Sequence, residues 1–226
     1  MTTYTDIAKM IDHALLKPSL TADEMEAGID LALKYDVASV CILPYYLKRC
    51  AERLAGSTVK ASTVIGFPLG GHTTSVKVAE AERAINDGCE ELDMVVNISQ
   101  VLSGRWDDVQ TEIQTIVDLT HAANQKVKVI FENCYLEDDD KIRLCEICSE
   151  AGADWVKTST GFGSGGATAD DLKLMRQHAA DHVQVKASGG IRDLETVLTF
   201  RELGVTRCGA SGTKAILDEC RQRFGS

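Results

Sequence analysis

The sequence predicts a closed (β/α)8 barrel of the TIM type, preceded by one short helix. Eight short apolar, β-branched runs are spread along the 226 residues, and helical patterns separate them. This alternation is that of parallel strands joined by right-handed crossovers. Four polar residues that interrupt these runs, Asp12, Asp93, Lys157 and Lys186, come from four different strands. A barrel gathers inward-facing residues at one mouth, whereas a doubly wound open sheet, the competing arrangement, spreads them apart.

Taken in order, a short helix leads and "MIDHAL" (10–15) reads as the first strand. A helix follows, opened by the capping box of Thr21 and Glu24 in "TADE". The later strands are "VASVCI", "KASTVIGF", "ELDMVVNI", "KVKVIFE", "DWVKTS", "VQVKAS" and "TRCGAS". Between them lie helical patterns such as "VKVAEAERAINDG", "DDDKIRLCEICSEAGAD" and "DLETVLTFRELG". Acidic runs in "LEDDDK" and "RWDD" open helices, where carboxylates favour the positive end of the dipole. No Pro-rich, Ser-rich or low-complexity linker divides the chain, so residues 1–226 read as a single catalytic barrel.

A net charge of −10 argues against nucleic acid and anionic membrane as partners, because neither attracts an acidic surface and no basic stripe offsets it. No apolar run approaches the roughly 20 residues of a membrane span, and the start lacks a basic region followed by a hydrophobic stretch. A soluble, cytoplasmic protein is expected. The eight cysteines sit mostly in apolar segments, as small hydrophobes of a reduced compartment. Cys145 and Cys148 form a CxxC inside a helical pattern with no second pair to complete a zinc site, so packing is the expected role. The histidines include no HExxH; His178 and His182 read as a solvated pair on one helix face. No metal and no cofactor is expected.

Lys157 in "DWVKTSTG" and Lys186 in "VQVKASGG" carry the strongest chemical signal, because an ammonium is costly to bury unpaired. Each sits in a strand-like run that stops at small residues. An isolated lysine is neutral only about 0.04% of the time at pH 7, too seldom for an efficient nucleophile. A second ammonium about 4 Å away, at an effective dielectric near 20, supplies roughly 4 kcal/mol, enough to lower the pKa by about 3 units. The competing reading lets each lysine snorkel to solvent from its strand end.

Three late segments, "STGFGSGGATADD", "ASGGIRD" and "CGASGTKAIL", are glycine-rich turns that open toward helices. Backbone N–H groups and a helix N-terminus can cradle phosphate without net positive charge. Gly189, Gly190, Gly209 and Ser211 are the leading contacts and Arg192 a charged one, unless the glycines serve only tight turns. In barrels of this type phosphate is often held after strands seven and eight.

These segments, with "GFPLGGHTTSVKVAEAERAI", "ELDMVVNI" and "FENCYL", resemble in order the motifs of the deoxyribose-phosphate aldolase family over nearly the whole chain. The resemblance implies a class I aldolase that reversibly cleaves 2-deoxy-D-ribose 5-phosphate to D-glyceraldehyde 3-phosphate and acetaldehyde, without metal, through a lysine Schiff base. It implies that Lys157 forms the Schiff base, that Lys186 activates it and that Asp93 belongs to the proton relay. It places Gly161, Gly189, Gly190, Ile191, Arg192, Gly209 and Ser211 in the phosphate loops, Ile191 through its backbone N–H, and matches Asp12 and Lys17 to the leading-strand motif as further substrate- or phosphate-binding residues. Leu43 stands where many members carry asparagine, and Gly212 where a second serine is frequent. Two other readings compete: a Schiff-base aldolase or transaldolase for another sugar phosphate, and a sensor that binds sugar phosphate without turnover. Many barrels form homo-oligomers, but no exposed apolar stripe can be isolated from the sequence.

Overall fold

The computed structural model describes residues 2–225. The elements run α1 (Tyr4–Ala8), β1 (Ile11–Leu15), α2 (Ala22–Tyr35), β2 (Ser39–Ile42), α3 (Leu47–Leu54), β3 (Lys60–Ile65), α4 (Thr74–Asn86), β4 (Glu91–Val95), α5 (Ile98–Leu102) and α6 (Trp106–Ala122). They continue as β5 (Lys126–Ile130), α7 (Asp138–Ala151), β6 (Trp155–Lys157), α8 (Ala169–His178), β7 (Gln184–Ser188), α9 (Leu194–Glu202), β8 (Val205–Ala210) and α10 (Thr213–Phe224). The eight strands pair in parallel, each with its neighbours in sequence, and β1 closes on β8. The expected barrel is therefore present, with its leading helix. β3, β4, β5 and β6 end before their sequence runs do because ladder pairing stops ahead of the turn residues, as at Lys157.

Local chemistry explains the helix ends. Thr21 and Glu24 form the expected reciprocal box at the start of α2, with the Thr21 N–H donating to Glu24 Oε2 at 2.7 Å. The acidic run 138–140 fills the first turn of α7, which ends at Gly152 in the left-handed region. One expectation fails: α8 stops at His178, so His178 and His182 share no helix. The Arg176 guanidinium takes the carbonyls of Ala179, Ala180 and Val183, fixing a non-helical path just where the pattern would continue.

The main apolar core lies between the sheet and the helices. The lumen is filled differently. Instead of layers of branched aliphatic residues, it holds charged side chains, capped toward one mouth by a small apolar cluster of Leu16, Cys41 and Val64. Period-two alternation on β1 separates the two environments, because Asp12 points inward while His13 points out to Thr213 of α10, 2.7 Å from His13 Nδ1. All eight thiols are free and all but Cys134 are buried. Burial pushes the Cys145 thiol up to about 12 and raises that of Cys148 well above its usual value, as expected for packing residues.

His13 supplies a stability prediction. Burial lowers its pKa from 6.5 to about 4, so between those values the unfolded chain binds a proton that the folded chain refuses. The contribution is complete above pH 6.5 and is lost as pH falls toward 4. Wild type should lose about 3 kcal/mol more than His13→Asn between pH 7 and pH 4. Equal losses in urea titrations of the two proteins would overturn this.

Candidate active site

Strand register assembles the lumen. Lys157 and Lys186 are paired across β6 and β7, and Asp93 and Lys128 across β4 and β5. A register shift between Val185 and Lys186 sets Lys186 opposite Arg207 of β8, so both long cations enter the lumen. The result is one continuous ionic cluster. Asp93 Oδ2 receives Lys157 Nζ and Lys186 Nζ, each at 2.7 Å, and Asp93 Oδ1 receives Lys128 Nζ at 2.8 Å. Lys186 also pairs with Asp12 at 2.6 Å, and Lys128 with Glu91 at 2.6 Å and Asp12 at 3.5 Å. Arg207 closes the base of the cluster, reaching Asp12 at 2.5 Å and Glu91 at 2.7 Å, with Trp155 stacked 4.9 Å from its guanidinium. Arg207 on β8 meets Glu91 on β4, across the barrel rather than along the sheet.

Four basic groups thus share three carboxylates. The cluster is neutral when one amine gives up its proton, and the contacts say which. Lys128 meets three carboxylates and Lys186 and Arg207 two each, whereas Lys157 meets Asp93 alone. The pKa directions agree. Burial lowers the Lys157 pKa and outweighs the upward pull of Asp93, with Lys186 lowering it further. For Lys186, burial is overcome by Asp12 and Asp93, and the pKa rises. Lys128 is raised well above its usual value against burial by Asp93, Glu91 and Asp12. Burial alone would raise Asp93, but Lys128, Lys157 and Lys186 hold it far below the usual carboxylate range. From sequence alone, a second ammonium accounts for the whole depression of Lys157. In the structure dehydration comes first and the ammonium second, because Asp93 lies between the amines and screens their repulsion.

A cavity of about 490 Å³ opens above this cluster. Its wall includes Asp12, Lys17, Lys157, Gly161 and Lys186, together with Gly189, Gly190, Ile191, Arg192, Gly209 and Ser211. Asp93 lies beneath the two lysines, fully buried. Asp12 is fully buried too, its carboxylate engaged by Lys186, Arg207 and the Ser39 hydroxyl. Lys17, Arg192 and Ser211 are exposed at the rim. Glycine is required at two of these places. Gly189 has φ +84° and lies so close to Gly166 that a Cβ would fall 2.8 Å from its Cα. At Gly209 a Cβ would meet Ser188 Cβ at 3.0 Å and Lys186 Cε at 3.6 Å, crowding the lysine.

Sequence reasoning did not single out Lys128, Glu91 or Arg207, nor Thr160 and Phe162 on the cavity wall. Lys128 carried a signal, since "KVKV" places a lysine mid-strand among β-branched residues. Among the described residues, no group of three or more His, Cys, Asp or Glu is placed to hold a metal ion, since the lumen carboxylates are taken up by lysine and arginine.

Chemically, the arrangement offers a desolvated, readily neutral amine facing a cavity, a permanently ionised carboxylate behind it and a second amine kept protonated. Comparison with known proteins points the same way. A family model described as DeoC/LacD family aldolase matches residues 7–221. The deoxyribose-phosphate aldolase of Rhodopirellula baltica is 68% identical over 222 residues, covering 98% of this chain and 92% of that protein. That of Caldanaerobacter subterraneus subsp. tengcongensis is 48% identical over 219 residues, covering 96% and 95%. Among solved structures, the aldolase QR15 superposes with a TM-score of 0.91 at 42% identity, covering 96% of this chain and 97% of the other. The tetrameric deoxyribose phosphate aldolase of Aeropyrum pernix gives 0.90 at 30% identity, covering 98% and 93%. A buried lysine cluster beneath a sugar-sized cavity, on a barrel matched along nearly its whole length, shows that this chain belongs to the DeoC/LacD family of aldolases.

Proposed function

We propose that this protein is a class I deoxyribose-phosphate aldolase, reversibly cleaving 2-deoxy-D-ribose 5-phosphate to D-glyceraldehyde 3-phosphate and acetaldehyde. The observation that carries the reading is that Lys157, alone among the lumen cations, has a single carboxylate partner and borders the cavity.

In this reading neutral Lys157 attacks the aldehyde carbon of the open-chain sugar, and loss of water gives an iminium. A base takes the proton of the C3 hydroxyl, the C2–C3 bond breaks and its electron pair moves into the iminium. Glyceraldehyde 3-phosphate leaves. The enamine left on Lys157 gains a proton at C2, and hydrolysis frees acetaldehyde and the amine. Asp93, ionised throughout, orients the relay, and protonated Lys186 is its donor. The phosphate is assigned to Gly161, Gly189, Gly190, Ile191, Arg192, Gly209 and Ser211, with Lys17 at the rim. Their backbone N–H groups and the start of α10 favour an anion despite the acidic surface. Asp12, which borders the cavity and pairs with Lys186 at 2.6 Å, is assigned with Lys17 to the substrate-binding wall.

The whole chain is read as one catalytic barrel that works in the cytoplasm and self-associates. In support, no helix among the described residues is long and apolar enough to cross a membrane, and the Aeropyrum pernix relative is tetrameric. The test is borohydride reduction in the presence of 2-deoxyribose 5-phosphate and a chelator. Turnover should continue before reductant is added, and mass should then accumulate irreversibly on Lys157. Label on another lysine would overturn the assignment.

A further inference from the structure

We propose that Glu132 is a positioning residue for substrate phosphate, acting through the loop that follows Lys157. Glu132 ends the fifth strand's extension and is 2% exposed. Its carboxylate forms no ion pair with any described residue, an arrangement that is costly for a buried charge. It is spent on one neighbour: Glu132 Oε1 accepts from the Thr160 N–H at 3.1 Å, and Oε2 accepts from the Thr160 hydroxyl. The same hydroxyl oxygen accepts the Phe162 N–H at 3.0 Å, closing the turn around Gly161.

Glu132 also adopts φ +48°, in the left-handed region disfavoured for a side chain of its size. Strain of this kind persists where surrounding contacts over-determine it, and it concentrates at functional sites. Here the loops lock together. The Asn133 N–H donates to the Thr158 carbonyl at 2.9 Å, and a Cβ at Gly163 would fall 3.0 Å from Glu132 Cδ. Thr160, Gly161 and Phe162 all line the cavity. One buried carboxylate therefore sets the direction of the Gly161 N–H without touching the reacting carbons.

The inference rests on 2-deoxyribose 5-phosphate as substrate. Because both carboxylate oxygens hold Thr160 in place, Glu132→Ala should raise KM for the sugar phosphate about 10–100-fold. Its kcat should stay within about threefold. For unphosphorylated 2-deoxyribose, kcat/KM should change far less, and Glu132→Gln, which keeps an acceptor for the Thr160 N–H, should recover most of the lost affinity. An unaltered ratio between the two substrates in Glu132→Ala would overturn the proposal, whether both rates fell together or neither moved. Wild-type enzyme inactive on the sugar phosphate would instead overturn the substrate reading itself.

Discussion

Lys157→Ala should abolish turnover at every pH, whereas Lys186→Ala should keep a residual rate that climbs toward alkaline pH. In the proposed mechanism the first removes the atom that bonds to the sugar, and nothing else in the lumen can replace it, because Lys128 and Lys186 are held protonated by two or more carboxylates each. The second leaves the nucleophile in place and changes its proton affinity. Both ammonium groups sit 2.7 Å from the same oxygen, so they are separated by no more than twice that distance. At about 5 Å and an effective dielectric near 20, the repulsion is worth about 3 kcal/mol, a factor of about 100 in the balance between the charged and neutral amine. Without Lys186, Asp93 and Asp12 also lose a counter-charge, which pulls the Lys157 pKa the same way, upward. The neutral fraction at pH 7 should fall about 100-fold, and the rising limb of the pH–rate profile should move to higher pH. A profile in Lys186→Ala that matched wild type in position would show that dehydration alone sets the nucleophile.

Much of this was legible in the sequence, for a physical reason. Parallel pairing follows from eight strand-like runs alternating with helices, and closure from the four polar interruptions, Asp12, Asp93, Lys157 and Lys186, that only a barrel brings to one mouth. Lys157 and Lys186 stood out because each interrupts a run otherwise fit for burial. Burial of a lysine is not itself a mark of the site, however. Lys77 is as buried as any, yet it pairs with Glu112 at 2.9 Å and the Val95 carbonyl at 2.7 Å, tying α4 to α6 and the end of β4, away from the cavity. Nor could sequence separate Lys126 from Lys128, two residues apart on one strand face. Lys126 sits exposed at the start of β5 and Lys128 is sealed within it, a difference set by depth in the lumen. Arg207 was hidden by the register shift beside Lys186, and Glu132 by its role, since a carboxylate that orders a loop through Thr160 has no motif of its own.

Asp93→Asn should damage both stability and activity, and its cost in stability should shrink as pH rises through the neutral and alkaline range, well above the carboxylate range of ordinary acid denaturation. Asp93 is the common acceptor of three ammonium groups. In wild type its depressed pKa contributes stability that is complete above the unfolded value near 3.9 and is lost as pH falls below it. Asparagine keeps the shape but removes the charge, leaving four bases with the carboxylates of Asp12 and Glu91 only. Breaking a buried pair in this way costs about 3–5 kcal/mol. The folded variant should respond by releasing protons from its lysines, so their folded pKa values fall below those of the unfolded chain. The unfolded state then binds more protons, and stability rises with pH through the range leading to about 10.4. Activity should not return with stability. In the proposed mechanism a readily neutral Lys157 can still form an iminium in this variant, but the ionised oxygen assigned to align Lys186 for protonation at C2 is gone. Urea titrations at pH 7 and pH 9, run beside borohydride trapping, separate the two effects: trapping should persist, turnover should be lost and the unfolding midpoint should move up with pH. A midpoint in Asp93→Asn that fell or stayed level over that interval would mean that the lumen lysines remain charged without Asp93, and the charge balance assigned to this barrel would be wrong.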